Sequence, residues 1–408
     1  MTYLGVKLAP RPESMRLIRY RSERLSIDFF QPRVLCALLG LVVSTLPVAP
    51  SSAGQDACTP REWAITTVDP NVLDADSYVA AISIFLEHAS QPRIFYARGP
   101  VNSDGWRIKS ANPRTDTWRI QRLPADPGSP EPSVARDRQG RYHLAWRTGT
   151  FFGEGILRYA TIKGGVWQEE IVDDVEGATS HTSIAVDAAG NPHIVYSPEL
   201  AGLPMRYAKW NGIDWEKEDI VVRGGILSPS LALDVAGEPR VAYIVDGGGE
   251  IDYATRSLGA WTIESIDIVS PNQTLGTSLA LDSRGRPHIA YDELYAIGIN
   301  YAVKSDAGWS IELVDTGQRW EPDLVMDSGD RPQMVFYDAE QGALIYAARS
   351  SGTWCLQTIE DDPSELIRIG RNAAIALDDL GATHVAYHYH DGFSVCQVKY
   401  AISQPLPP

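Results

Sequence analysis

An acidic residue returns seven times along this chain at a nearly constant interval. Glu87, Asp137, Asp187, Asp234, Asp282, Asp327 and Asp378 are separated by 50, 50, 47, 48, 45 and 51 residues. The same text surrounds each, clearest in SLALDSRGRPHIAYDELYAIGINYAVKSDAGWSIELVD at residues 278–315. A period of this length marks an array of one small unit, each copy burying its apolar face on a neighbour.

Every unit holds four short alternating or β-branched runs, such as SLALD, PHIAY, INYAV and WSIELV. Gly, Pro, Asn and Asp separate them, which is the signature of strands and turns. No stretch sustains a helical period. Four strands per unit make one propeller blade. The fold class is therefore all-β, a seven-bladed β-propeller of four-stranded antiparallel blades. The chain ends support a closed ring. The last unit has Thr383-His384-Val385-Ala386-Tyr387 and Val398-Lys399-Tyr400-Ala401, then stops without a Trp strand. Residues 62–68, containing Trp63, supply that strand from the other end of the chain. A ring closed by an N-terminal strand in the last blade has no exposed edges, whereas a solenoid carries its own caps.

The first 53 residues differ. Seven basic side chains precede an apolar run at 34–48, and small residues follow at 51–53. This reads as a secretory signal with a basic leader, with Met15 as a candidate start. The apolar run is shorter than the roughly 20 residues of a spanning helix, and a retained anchor is the alternative. Two segments are expected: a signal at 1–53 and a single propeller domain at 54–408. The expected location is secreted, periplasmic or cell-surface, with no membrane span after signal removal. Subtracting the leader's 7 basic and 3 acidic residues leaves 29 and 49, a net charge of −20. Such a surface repels phosphate backbones, so nucleic acid is not an expected partner. Cys58, Cys355 and Cys396 remain, enough for one disulfide and one thiol. A bond from Cys58 would latch the closing strand, and Cys355 and Cys396 are both open as its partner. No cysteine spacing matches a metal or redox motif, and no cofactor is expected.

Loop lengths choose the working face. From acidic anchor to second-strand aromatic every unit counts nine residues, as in Asp187 to Tyr196. From third-strand Tyr to fourth-strand Trp the count is eight, as in Tyr159 to Trp167, and Ser110 to Trp118 keeps it with Ser. The other two connections vary, from 10 to 14 and from 18 to 24 residues. Alternate connections of an up-and-down blade lie on opposite faces, so both variable sets share one face. Function concentrates on such loops. The longest belong to units seven, one and two, and point to the channel mouth beside them.

The repeated D-x-x-G-x-P, as in residues 187–192, reads as a tight turn. His143, His193, His288 and His384 hold one equivalent position and suggest a repeated side-chain-to-backbone contact. The repeated Trp and Tyr read as packing between blades. Residues that break the repeat are the site candidates: Arg147, Phe151, His181, Trp320, Arg371, His388, His390 and Asp391. His388 and His390 alternate, so they share a side. His, Arg and acid together suit acid–base chemistry, weak metal binding or the grip of an acidic sugar.

The S-L-A-L-D-x-x-G-x-P-H-I-A-Y units resemble those of secreted bacterial seven-bladed propellers, and loosely the sialidase-type (Asp-box) and lectin propellers. The resemblance covers residues 57–403. The Asp-box reads S-x-D-x-G-x-T-W, whereas here Gly falls three after Asp and Pro-His replaces Thr-Trp, so no catalytic residue carries over. It implies an exported, non-enzymatic binding propeller for carbohydrate or a cell-surface glycan. A glycan-active enzyme is the alternative: a glycoside hydrolase, or a polysaccharide lyase with His390 as base beside Arg371. A protein-interaction scaffold is the third reading.

Overall fold

The computed structural model describes residues 60–403, except 71–76, 101–105, 124–131, 150–154, 164–165, 176–178, 199–202, 222–225, 246–248, 269–275, 294–297, 363–367 and 392–394. The leader, Cys36, Cys58 and Phe151 lie outside these residues.

Twenty-eight strands form seven four-stranded sheets, and the described residues contain no α-helix. Six blades run through consecutive strands from the channel outward. Their inner strands are Ser77–Leu86, Ser133–Arg136, Thr179–Val186, Ile226–Leu233, Thr277–Leu281 and Arg319–Met326. Blade seven stacks Arg368–Leu377, Thr383–His390 and Cys396–Ser403, and its outer strand is Trp63–Asp69 from the far end of the chain. Trp63 pairs with Ser403 and Thr66 with Tyr400, as ring closure requires. Arg61 fastens the approach. Its guanidinium donates to Thr383 Oγ1 at 2.6 Å and Ser403 Oγ at 2.9 Å, and its backbone N–H donates to Gln357 Oε1 at 2.8 Å. Cys355 is disulfide-bonded and Cys396 is a free, buried thiol, so Cys396 is excluded as the latch.

The anchor turns explain the fixed face. Asp187 Oδ1 accepts the N–H groups of Ala189 and Asn191 at 2.9 and 2.8 Å, and Gly190 between them sits at φ 89°. The five other Asp copies likewise accept the N–H four residues on, whereas the Glu87 carboxylate accepts from Arg93 and Tyr142 instead, and Asp330 and Ser90 take the left-handed place at φ 58°. In five blades Pro opens the next strand, where its missing N–H costs no ladder bond, and Tyr142 and Thr383 hold that place in blades two and seven.

The core lies between blades. At six seams the outer-strand Trp meets the third-strand Tyr of the preceding blade edge-on, with centroids 5.2–5.4 Å apart. Aromatic pairs of this geometry add about 0.5–1.5 kcal/mol each beyond their burial. At the seventh seam Ser110 replaces Tyr, and Trp167 packs with Phe85 and Val134 beside the buried Phe95 and Tyr142. A second lock joins second-strand Tyr hydroxyls to carboxylates ending the preceding outer strand. Tyr96 donates to Asp69 at 2.8 Å, Tyr196 to Asp173 at 2.7 Å and Tyr387 to Glu360 at 2.6 Å.

The repeated histidines correct an expectation. Their partners are side chains, not backbone. His143 and His193 place Nδ1 at 2.6 Å from the Tyr159 and Tyr207 hydroxyls, His384 at 2.7 Å from that of Tyr400, and His288 pairs with Tyr301 likewise. Nε2 faces the anchor Asp, at 3.2 Å for His143 and 3.4 Å for His384. In blade six Gln333 does the same work, accepting from the Tyr346 hydroxyl at 2.7 Å. Burial, with Lys209 nearby, pushes the His193 pKa down to about 4. The folded value is below the unfolded one, so the unfolded chain takes up the proton first as pH falls from about 6.5 toward 4. His193→Gln, copying Gln333, should match the parent within about 1 kcal/mol at pH 7.5. At pH 4.5 it should exceed the parent by about 2 kcal/mol in urea unfolding. An equal acid sensitivity of the two proteins would show that His193 does not carry it.

Candidate functional site

The seven inner strands enclose a cavity of about 480 Å³ on the channel axis. Its rim is the position six before each anchor: Ala81, His181, Ser228, Gly276, Glu321 and Asn372 in the described blades. There the inner strand breaks register with its neighbour, between Ala80 and Ser83, Leu227 and Ser230, Trp320 and Asp323, and Arg371 and Ala374. Ala81, Ser228, Glu321 and Asn372 take left-handed backbone, φ 46–56°. Each such residue costs roughly 1–2 kcal/mol, and strain of this kind gathers at functional sites. The rim lies where the inner strands begin, on the face of the variable connections.

Polar contacts pass round this rim from blade to blade. Buried Asp292 accepts the Gly276 N–H at 3.2 Å and the Glu321 N–H of blade six at 2.9 Å. Glu321 in turn accepts the Asn372 N–H of blade seven and the Arg371 guanidinium, both at 2.7 Å. Arg371 Cζ stands 5.6 Å over the Trp320 ring, and Tyr337 meets the same ring edge-on at 5.7 Å.

One step deeper runs a ring of hydroxyls, four residues before each anchor: Ser83, Ser133, Ser183, Ser230 and Ser278, then Asp323 and Ala374. Ser183, Ser230 and Ser278 each accept a backbone N–H of the next blade, from Leu231, Leu279 and Leu324, all at 3.0 Å. Asp323 Oδ2 does the same for the Ile375 N–H at 2.9 Å, and Oδ1 accepts the Ser278 hydroxyl at 3.1 Å. Desolvation inside the ring pushes the Asp323 pKa up to about 6, against the hydrogen bonds that favour its charge.

The residues singled out by sequence fall into three groups. Trp320, Arg371, His388 and His390 come together in blades six and seven. Arg371 pairs with His388 in register, and the His388 and His390 rings lie 6.0 Å apart, on one side as the alternation predicts. His388 is 1 % exposed and holds Nε2 at 3.2 Å from Cys396 Sγ. Burial, then the charges of His390 and Arg371, push its pKa down to about 3, so it is neutral at pH 7. Asp391 follows His390 and accepts the Val395 N–H at 2.8 Å, a turn contact. His181 stands apart, lining the cavity from blade three, and Arg147 is buried in blade two. Asp323, Glu321 and Asp292 are outside the set the sequence singles out. Reading the seven copies as columns exposes the first of them, one Asp among five Ser. Among the described residues no cluster of three His, Cys, Asp or Glu could hold a metal ion, and no helix is long and apolar enough to cross a membrane.

Fold and site together define a seven-bladed β-propeller with a polar cavity at its axial mouth. No protein-family model matches the chain, and no curated protein sequence does. Solved structures do. An ulvan lyase from a new family of polysaccharide lyases, bound to GlcA(1-4)Rha3S, aligns at a TM-score of 0.57 and 12% identity, covering 81% of this chain and 94% of that one. A Dyadobacter fermentans protein of unknown function aligns at 0.53 and 9%, covering 84% and 99%. A six-bladed fucose-recognising lectin of Aleuria aurantia aligns at 0.49 and 14%, covering 72% and 98%. At such identities the likeness is one of fold.

Proposed function

We propose that the protein is an exported carbohydrate-binding propeller whose ligand sits at the channel mouth on the variable face. The carrying observation is the cavity itself: walls of hydroxyls, carboxylates and backbone bulges, with the indole of Trp320 and the Arg371–Glu321 pair at its edge. Hydroxyl-rich ligands need many fixed polar partners and an apolar ring face to lie on, and this arrangement offers both. Of the residues the sequence singles out, His181 lines the cavity from blade three, and Trp320 and Arg371 adjoin Glu321 and Asn372 on its rim. The lyase alignment supports the reading to the extent that this architecture accommodates a saccharide.

Binding is preferred to catalysis for a specific reason. Glu321 is neutralised by Arg371 and held by the Asn372 N–H, which leaves Asp323 as one carboxylate without a cationic partner among the described lining residues, where a hydrolase needs two. His388, enclosed and neutral, offers no acid to a substrate at pH 7.

A glycan array spanning neutral, uronic and sialic polymers, read for both retention and new chain ends, tests this. Retention without cleavage is expected, and Trp320→Ala should weaken it at least tenfold, about 1.4 kcal/mol. Cleavage would make the protein an enzyme. Silence on every glycan would end the carbohydrate reading.

A further inference from the structure

Asp323 interrupts a ring whose structural job is clear. That job is to accept a backbone N–H from the next blade, and Ser183, Ser230 and Ser278 perform it with a hydroxyl. Asp323 performs it with one oxygen, holds the Ser278 hydroxyl with the other, and brings a charge that the job does not need. Burying a carboxylate is costly unless something uses it. The side chain lines the axial cavity, one step below the strained rim at Glu321 and Asn372. Three protein donors, the Ile375 N–H at 2.9 Å, the Ser278 hydroxyl at 3.1 Å and the Leu324 N–H, occupy part of a carboxylate's roughly four acceptor sites.

We infer that Asp323 is the grip of the central cavity, accepting a hydrogen bond from a hydroxyl of a neutral sugar at the end of a glycan chain. The inference deepens the carbohydrate reading and rests on it. Chain ends are selected because seven inner strands surround the cavity, so a ligand enters along the axis and a chain interior can only lie across the face. The volume of about 480 Å³ falls within the range of small-molecule pockets. Neutrality follows from charge. Glu321 is offset by Arg371, which leaves Asp323 as the uncompensated carboxylate among the described residues of the cavity wall, and a uronate or sulfate would meet it at low dielectric.

Titration calorimetry on the full chain tests this. The probes are methyl glycosides of neutral hexoses and deoxyhexoses, with the matching uronic acids, each against wild type and Asp323→Ser. Serine restores the residue that five blades already use, so the melting curve should stay cooperative. Asp323→Asn, which keeps the shape of the carboxylate, is the second variant should serine fail to fold. The expected result is a neutral glycoside that binds wild type and binds either variant at least tenfold more weakly, with no uronic acid bound in its place. Equal affinity for wild type and variants overturns the inference and leaves the carbohydrate reading intact. Binding of acidic sugars alone overturns it in the same way. If no glycan binds in this assay or on the array, both fall together.

Discussion

Alanine at Asp69 should destabilise the fold by about 3–5 kcal/mol, the range for breaking a buried ion pair from one side. Asp69 ends the closing strand at the seam where blade seven meets blade one. Its Oδ2 accepts the Tyr96 hydroxyl at 2.8 Å and the Lys109 ammonium at 3.0 Å, and stands 3.3 Å from Arg98. Arg98 is nearly buried, and without Asp69 its charge loses this carboxylate while the Cys396 carbonyl, 3.1 Å away, remains. Burial would raise the Asp69 pKa, but Lys109, Tyr96 and Arg98 together hold it below the ordinary carboxylate range. The stabilisation is therefore complete above the unfolded value near 4 and fades as pH falls through the lower folded value. Urea unfolding at pH 7 should show the full loss, and Asp69→Asn, still an acceptor for Tyr96, should show less. A loss under about 1 kcal/mol would mean that the strand pairing alone holds the seam.

The second large effect has the opposite sign. The folded pKa of Asp323, about 6, is above the unfolded value near 3.9. The native state therefore holds the proton more tightly, and the stability this gives is complete below about pH 4 and lost as pH rises through 6. Asp323→Ser lacks that titration. The stability difference between variant and wild type should shift by about 2–3 kcal/mol in the variant's favour between pH 4 and pH 7.5. Other titrating groups cancel in the difference, the buried histidines included. A flat difference would show Asp323 charged at no cost, and so well solvated in the cavity. A stabilising substitution that also removes ligand binding would identify a residue kept for function at the expense of the fold.

Much of the architecture is legible in the sequence because it is periodic. Seven anchors, nine residues from anchor to aromatic and a missing last Trp strand dictate seven blades and the identity of the closing strand. Side-chain partners are less legible. The histidines are expected to meet backbone, yet His193 reaches Tyr207, 14 residues on, because antiparallel pairing brings the third strand beside the second. Alternation puts His388 and His390 on one side, but alternation reports direction and not depth, and only packing shows His388 sealed against Cys396. The pairing of Trp320 with Arg371 spans 51 positions and two blades, which no local pattern reveals. Asp323 is hidden differently. Loops draw attention by their irregularity, whereas Asp323 stands within a regular strand and differs from its counterparts by one functional group.

The exchange of strands in blade seven also sets an order of events in biosynthesis. Trp63–Asp69 is among the first strands to be made, and its partner, Cys396–Ser403, is the last. At about 5–20 residues per second, the first waits roughly 20–70 s for the second. Throughout that interval the nascent chain carries an orphan strand with Val68 and Asp69 unburied, and blade one lacks the neighbour that shields Tyr96 and Arg98. The completed circle is thus a late and cooperative event, and a chain cut short anywhere before residue 396 has no way to reach it.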